Sequence, residues 1–152
     1  MQVFALRLKP GDDLKRSIKT FVAEKRLEAG FVVTAVGSLQ QATLRFANRN
    51  QSHRIRRKFE ILSLTGTLSI YGVHLHLAIA GTWGRTLGGH LEDGCLIYTT
   101  AEIILGSLPN CTFTRELDRH TGYQELVIRE QDSQAVWWRE RSQPASLPEY
   151  SD

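Results

Sequence analysis

The amino-acid sequence predicts an α+β protein with a mainly antiparallel β-sheet and one major amphipathic helix packed on it. One segment near the N-terminus has apolar residues at the 3.6-residue period of a helix. From residue 31 onwards, short apolar and β-branched runs are separated by glycine, proline and polar residues, which is typical of consecutive strands. The 152 residues suit one domain, which we place at residues 1–130, followed by a polar C-terminal tail at residues 131–152.

The first elements are a strand and the helix. Residues 3–8 predict the strand, and Pro10-Gly11 ends it. Asp12 or Asp13 offers a side-chain oxygen to the free amides at the start of the helix. Gly30 is the predicted C-terminal stop. The apolar stripe that faces the sheet consists of Leu14, Ile18, Phe21 and Val22.

The rest of the domain is predicted to be strands and turns. Gly37-Ser38 is expected to turn the chain, and the polar and basic residues 47–58 predict a loop or hairpin tip. Gly66 lies inside a long strand and indicates a bulge or a close approach. Residues 81–95 hold five glycines and predict a structured loop. The strands are predicted at residues 31–36, 42–46, 59–70, 73–80, 95–105, 111–117 and 123–129.

Composition and charge exclude several classes of protein. With 41% hydrophobic and 23% charged residues, the body of the chain is not disordered. Residues 1–7 lack the basic leader of a signal peptide, and no apolar run approaches the ~20 residues that span a bilayer. We therefore expect a cytoplasmic protein with no membrane partner. Cys95 and Cys111 lack metal-site spacing and are expected to be reduced thiols.

Three histidines form a candidate metal site. His74 and His76 are two residues apart in a predicted strand, so both imidazoles lie on one face. His90 follows Gly88-Gly89, where the backbone can fold closely over the preceding strand. Three neutral imidazoles with an open fourth position are a recurrent zinc arrangement. The alternative is a pair of hydrogen-bonded, partly buried histidines and one loop histidine. The opposite, core-facing side of the strand carries Leu75, Leu77 and Ile79.

Several motifs occur in an order that resembles the PPC domain (plants and prokaryotes conserved). The resemblance covers roughly residues 3–130, and the chain is identified as a stand-alone bacterial member of that family. The motifs are Ala35-Val36-Gly37-Ser38-Leu39, Phe59-Glu60-Ile61-Leu62-Ser63-Leu64-Thr65-Gly66, His74-Leu75-His76-Leu77, Gly88-Gly89-His90-Leu91 and Thr99-Thr100-Ala101-Glu102-Ile103.

The resemblance implies a PPC-like fold, similar to that of the zinc enzyme acetolactate decarboxylase, assembled as a homotrimer. It implies that zinc, where a member binds it, is held at the positions of His74, His76 and His90. It also implies DNA binding, the description usually given to prokaryotic members. Plant members grip DNA with an AT-hook, but this chain has no Arg-Gly-Arg-Pro core. DNA binding would therefore need another device.

A basic segment is the candidate nucleic-acid contact. Arg54, Arg56, Arg57 and Lys58 follow one another closely, and no acidic residue occurs between Arg45 and Glu60. Such a segment binds phosphates, and a trimer would present three copies. The alternative is a solvated basic loop, because few aromatic residues accompany the arginines.

The sequence leaves three functions open. The first is a DNA-binding trimer. The second is a zinc-dependent enzyme acting on a small carbonyl-containing molecule, with Glu102 and Glu60 as candidate catalytic acids or bases because each lies in an otherwise apolar strand. Each glutamate is alternatively a structural carboxylate. The third is a scaffold in which a metal or small-molecule ligand stabilises the trimer. Trp137-Trp138 is expected to dock onto the domain or a neighbouring subunit.

Overall fold

In a computed structural model of the protein, residues 1–130 are described. The predicted tail and its Trp137-Trp138 pair lie outside the described residues. The described part contains one helix and nine strands: β1 (Gln2–Leu8), α1 (Leu14–Glu24), β2 (Gly30–Arg45), β3 (Ser52–Ile55), β4 (Phe59–Ser69), β5 (Gly72–Gly81), β6 (Thr86–Leu91), β7 (Leu96–Ser107), β8 (Cys111–Leu117) and β9 (Gln124–Glu130). The α+β class with a mainly antiparallel sheet is confirmed.

Seven strands form one sheet in the order β1-β7-β2-β4-β5-β6, with β3 also paired to β2. β8 and β9 form a separate two-stranded hairpin. The long strand β2 pairs with β7 over residues 30–41 and with β4 at residues 30–31 and 37–39. Its last residues pair with β6, where Leu44 lies opposite Leu91 and Arg45 opposite His90. The sheet therefore curls until β6, the neighbour of β5, also meets the end of β2.

The helix covers one face of this sheet. Its apolar stripe is buried at Leu14, Ile18 and Val22. Asp13 is the N-cap and accepts a hydrogen bond from the amide of Arg16 at 3.1 Å. The other oxygen of the same carboxylate accepts from the amide of Gly94 at 2.6 Å. Asp13 thus joins the start of the helix to the turn between β6 and β7.

Two predicted glycine positions are wrong. The helix ends at Glu24, and Gly30 begins β2 instead of stopping α1. The predicted turn at Gly37-Ser38 does not exist, because β2 continues through both residues. A Cβ at Gly37 would overlap the carbonyl oxygen of Thr100, so this glycine lets β7 approach β2 closely. The pairing with β7 shifts register beside it, as at a β-bulge.

The predicted loop at residues 81–95 contains a strand, β6, and this prediction is also corrected. The glycines there serve strand packing. A Cβ at Gly88 would lie 2.9 Å from the carbonyl oxygen of Leu77, and one at Gly89 would lie 2.8 Å from that of Arg45. The predicted close approach at Gly66 is confirmed, since a Cβ there would overlap the carbonyl oxygen of His74. Within residues 1–130, no helix is long and apolar enough to cross a membrane.

Candidate metal centre

Two of the three candidate ligands lie on β5 and face away from the core. The leucines at positions 75 and 77 are buried on the other side of the strand, as period-two geometry predicts. The Nε2 atoms of His74 and His76 are 3.2 Å apart, and their ring centroids are 5.0 Å apart. Nitrogen ligands at the usual Zn–N distance of about 2.0–2.1 Å in a tetrahedral site lie about 3.3 Å from one another. This pair already has that spacing.

The third ligand comes from the neighbouring strand. β5 and β6 pair so that His76 lies directly opposite His90. The ring of His90 is 5.0 Å from that of His74 and 5.6 Å from that of His76. One ring nitrogen from each histidine lies within 4.8 Å of the others. The structure therefore brings all three predicted ligands together within one chain.

The hydrogen bonding of His90 fits a metal ligand. Its Nδ1 atom is buried and has no hydrogen-bond partner among the described residues. A buried polar atom left unpaired costs roughly 1–3 kcal/mol. Its Nε2 atom lies 3.8 Å from an oxygen of Glu92. A metal ion bound through Nδ1 would give this atom its partner, and the carboxylate would orient the ring from the other side.

The electrostatic environment favours neutral imidazoles. Burial, assisted by the charges of Lys15 and Arg45 and opposed by Glu92, lowers the pKa of His90 to about 4. Burial also lowers the pKa of His74, and the charge of Arg115 acts in the same direction. Neutral imidazole is the form that binds a metal, so at neutral pH no proton has to leave either of these two rings.

The hairpin β8–β9 forms a wall beside the histidines. The Arg115 guanidinium donates a hydrogen bond of 2.8 Å to the hydroxyl of Thr67, the residue paired with His74 on β4. A cavity of about 290 Å³ lies between the hairpin and β4–β5. A second cavity, of about 620 Å³, adjoins it and is lined by Arg45, Val73, His74, His90, Arg115, Tyr123, Gln124 and Glu125. The histidines therefore lie at the floor of an open groove.

The structure does not bring the two predicted catalytic glutamates to this groove. Glu60 and Glu102 are exposed, although each lies in an otherwise apolar strand. Glu60 pairs with Ala80, four residues along β5 from His76, which is about 13 Å at the usual strand rise. Glu102 lies on β7, which carries none of the three histidines. Successive side chains of a strand point to opposite faces, so each glutamate is exposed although the residues on either side of it are buried.

Other charged residues lie near the histidines, and sequence reasoning missed their role. Glu92 follows His90 by two residues, so strand periodicity could have placed it beside that ring. Glu125 and Arg115 reach the groove because the hairpin docks on β4. Their sequence separation from the histidines gives no signal of that contact.

The predicted nucleic-acid residues form an exposed basic surface. All four are exposed: Arg54 on β3, and Arg56, Arg57 and Lys58 between β3 and β4. The ammonium of Lys58 lies 4.0 Å from the ring centre of Tyr98. Nearby, Trp83 is 91% exposed in the turn between β5 and β6. A cavity of about 360 Å³ is lined by residues that include Arg57, Lys58, Trp83 and Arg85. Trp83 is the aromatic residue that the sequence reasoning missed, and its position between Gly81 and Gly84 was the available signal.

Comparison with known proteins identifies the family. The profile of the Plants and Prokaryotes Conserved (PCC) domain matches residues 1–109. The chain belongs to this family. The family predicted from the sequence motifs is thereby confirmed, and the matched range contains all three histidines. The hairpin β8–β9 follows the matched range.

Two curated relatives from Synechococcus are much longer than this PCC-domain chain. Both are named bifunctional protein GlmU. One, from strain JA-3-3Ab, is 52% identical over 84% of this chain, which is 21% of that protein. The other, from strain JA-2-3B'a(2-13), is 47% identical over 95% of this chain, which is 23% of that protein. The chain thus spans about a fifth of the length of these relatives.

Solved structures share the fold. A hypothetical protein from Salmonella cholerae-suis has a TM-score of 0.84 and 38% identity over 86% of this chain and 94% of its own. A metal-containing protein from Archaeoglobus fulgidus has a TM-score of 0.73 and 27% identity over 84% of this chain and 94% of its own. A Bacteroides thetaiotaomicron protein, described as a candidate DNA-binding protein, has a TM-score of 0.75 at 21% identity, over 82% of this chain and 91% of its own. At that identity the last comparison concerns the fold alone.

Proposed function

We propose that this protein is a metal-binding PCC domain in which His74, His76 and His90 hold one zinc ion. The observation that carries the proposal is the convergence of three ring nitrogens within 4.8 Å on two paired strands. Imidazole nitrogen suits zinc, and the groove leaves room for a further ligand. The metal content of the Archaeoglobus protein, 27% identical to this chain, supports the same conclusion.

Metal analysis of the purified protein tests this proposal. We expect one zinc ion per chain in protein purified without chelator, and its loss in the variant His90→Ala. His120→Ala is the matched control, because it removes an exposed histidine of the hairpin turn. Circular dichroism checks that both variants are folded. Equal zinc content in the wild type and in His90→Ala would contradict the proposal.

Such a centre also suits the zinc-dependent enzyme considered from the sequence. When bound, zinc polarises a carbonyl group or activates a water molecule. Glu125 lines the groove and is better placed to move a proton there than Glu60 or Glu102. The choice of a small carbonyl-containing substrate stays a prediction from the sequence.

DNA binding is a second candidate function, favoured by the basic surface beside Trp83. Three arginines and Lys58 would contact phosphates, and a tryptophan that is 91% exposed offers a flat surface for base stacking. The cavity beside Trp83 is lined by none of the three histidines, so both functions are compatible in one chain.

Fluorescence anisotropy with labelled DNA, repeated over a salt series, tests this candidate. Replacing Arg54, Arg56 and Arg57 together by Gln should weaken binding and reduce the salt dependence, because each lost phosphate contact lowers the logarithmic slope by about 0.9. A control with equal charge loss replaces the exposed Lys9, Lys19 and Lys25 by Gln. Equal weakening in both triple variants would exclude a specific role for the basic segment.

We also propose the homotrimer that the family resemblance implies. The outer face of the sheet exposes three large aliphatic side chains on β2 and β4, namely Val33 (53%), Val36 (59%) and Leu62 (53%). Exposed apolar clusters of this kind are typical of protein interfaces. Analytical ultracentrifugation should give three times the chain mass of 17.2 kDa. Val36→Glu should lower that mass, whereas Leu117→Glu on the hairpin should not.

A further inference from the structure

The half-buried Arg115 lies beside the histidines without a carboxylate partner. Its guanidinium donates to the hydroxyl of Thr67 at 2.8 Å and to the carbonyl oxygen of Gln124 at 3.5 Å. Among residues 1–130, no carboxylate oxygen lies within 4.0 Å of it. By contrast, Arg129 on the same hairpin pairs with Glu116 at 2.7 Å. A guanidinium keeps its charge even when partly buried, so it is available to an anion that enters the groove.

A second guanidinium lines the same cavity. Arg45 lies opposite His90 across the β2–β6 pairing, and its Nε atom is 3.8 Å from Glu92. That glutamate is already paired more closely with Lys15, at 2.9 Å. With a divalent ion on the histidines, the positive charges of the groove exceed the negative charges of Glu92 and Glu125. Such a cavity attracts negatively charged ligands.

The arrangement of the guanidinium N–H groups indicates which class of anion fits the groove. A guanidinium presents its N–H groups as a planar fork that matches the two oxygens of a carboxylate or a phosphate. The cavity of about 620 Å³ accommodates a small molecule with its anionic end near Arg115 and the histidines. The hairpin that supplies Arg115 follows the residues matched by the family profile. The sheet thus carries the three histidines, whereas the hairpin carries Arg115.

We propose that the groove binds a small oxyanion, a carboxylate or a phosphate, held jointly by Arg115 and by the metal ion on the three histidines. This proposal rests on the metal centre proposed above. Arg45 contributes to the attraction from the opposite wall of the cavity.

Cobalt(II) provides a test that does not depend on catalysis, because its visible spectrum reports changes in the ligands around it. The full chain is loaded with one equivalent of cobalt(II) and titrated separately with inorganic phosphate and with acetate. The variants are Arg115→Gln and the matched control Arg129→Gln, which removes a hairpin arginine that already has a carboxylate partner. Arg115→Lys keeps the charge without the fork, and circular dichroism checks the fold of each variant.

We expect anion titration to change the wild-type spectrum, and the better of the two probes identifies the oxyanion. Losing a charge-assisted hydrogen bond should weaken binding at least about tenfold in Arg115→Gln. Arg115→Lys should recover part of that loss, and Arg129→Gln should bind within about twofold of the wild type.

The outcomes separate this proposal from the metal centre. Cobalt that binds stoichiometrically while neither anion alters the spectrum overturns the anion site and leaves the metal centre standing. The same conclusion follows if folded Arg115→Gln and Arg115→Lys bind the anion as tightly as the wild type does. If the wild-type chain binds no cobalt, the metal centre fails and the anion site fails with it.

Discussion

Gly66 connects the packing of the sheet to the geometry of the histidines, and Gly66→Ala is a direct test of that connection. Gly66 has φ +144°, which disfavours any residue with a side chain. An added Cβ would overlap the carbonyl oxygen of His74 and lie 2.9 Å from the Cα atom of Leu75. Relieving these contacts requires β4 and β5 to separate. Backbone strain costs roughly 1–2 kcal/mol and overpacking a further 1–3 kcal/mol, so we expect Gly66→Ala to destabilise the fold by about 3 kcal/mol.

Gly84→Ala is the matched control for this substitution. Gly84 also has a positive φ, of +69°, but an added Cβ would have no neighbour within 4 Å. It should cost about 1 kcal/mol, the conformational part alone. Urea denaturation gives both values. Because the strand that must move carries His74, Gly66→Ala should also weaken zinc binding at least about tenfold, whereas Gly84→Ala should not. Equal stability of the two variants would refute the argument that the close approach of Gly66 to the backbone of His74 constrains the site.

Three further results are expected. Metal-free protein should lose stability as the pH falls from 6.5 to about 4. The reason is that His90 takes up its proton near pH 6.5 when unfolded but only near the lowered pKa of about 4 when folded. Thermal melts over this pH range should show the decline in the wild type and a smaller one in His90→Ala. Asp13→Ala should cost about 1–2 kcal/mol in urea denaturation, more than Asp12→Ala, because Asp13 caps the helix and also holds the amide of Gly94. Burial raises the pKa of Cys95 to about 11, so mass spectrometry after iodoacetamide treatment at pH 8 should find this thiol unmodified until the protein is denatured.

Sequence reasoning succeeded where the relevant geometry is local. Side chains alternate between the two faces of a strand, so the two-residue spacing of His74 and His76 was enough to predict that both lie on one face of β5. The capping aspartate and the apolar stripe of the helix were also predictable, because both depend on residues within two turns. His90 was proposed as the third member because Gly88-Gly89 precede it, and the family resemblance implied the same position.

The wrong predictions concern glycines that are required by the close approach of a neighbouring strand. Gly37 was interpreted as a turn and Gly88-Gly89 as part of a loop, because glycine in a sequence indicates backbone freedom without saying why it is needed. In the structure these positions admit the backbone of a neighbouring strand. Such a neighbour belongs to a distant part of the chain, so the period of the sequence around each glycine does not reveal it.

The groove was also beyond local reasoning. Arg115 and Glu125 reach the histidines from a hairpin that pairs only with itself and lies against β4. Conversely, Glu60 and Glu102 were chosen because their sequence neighbours are apolar, and both lie on exposed sides of their strands. Alternation alone could have shown that an acid between two buried residues of a strand points to the opposite face.

Two of the histidines lie on an interior strand of the sheet and the third lies on the last strand of the sheet order, which has a consequence for local opening. β5 lies between β4 and β6, whereas the six-residue β6 pairs with β5 and with two residues of β2. Amides of a short marginal strand exchange with deuterium faster than those of an interior strand. An ion bound by all three rings would link β6 to the interior strand β5. Added zinc should therefore slow amide exchange in β6 much more than in β1, the strand at the other margin of the sheet.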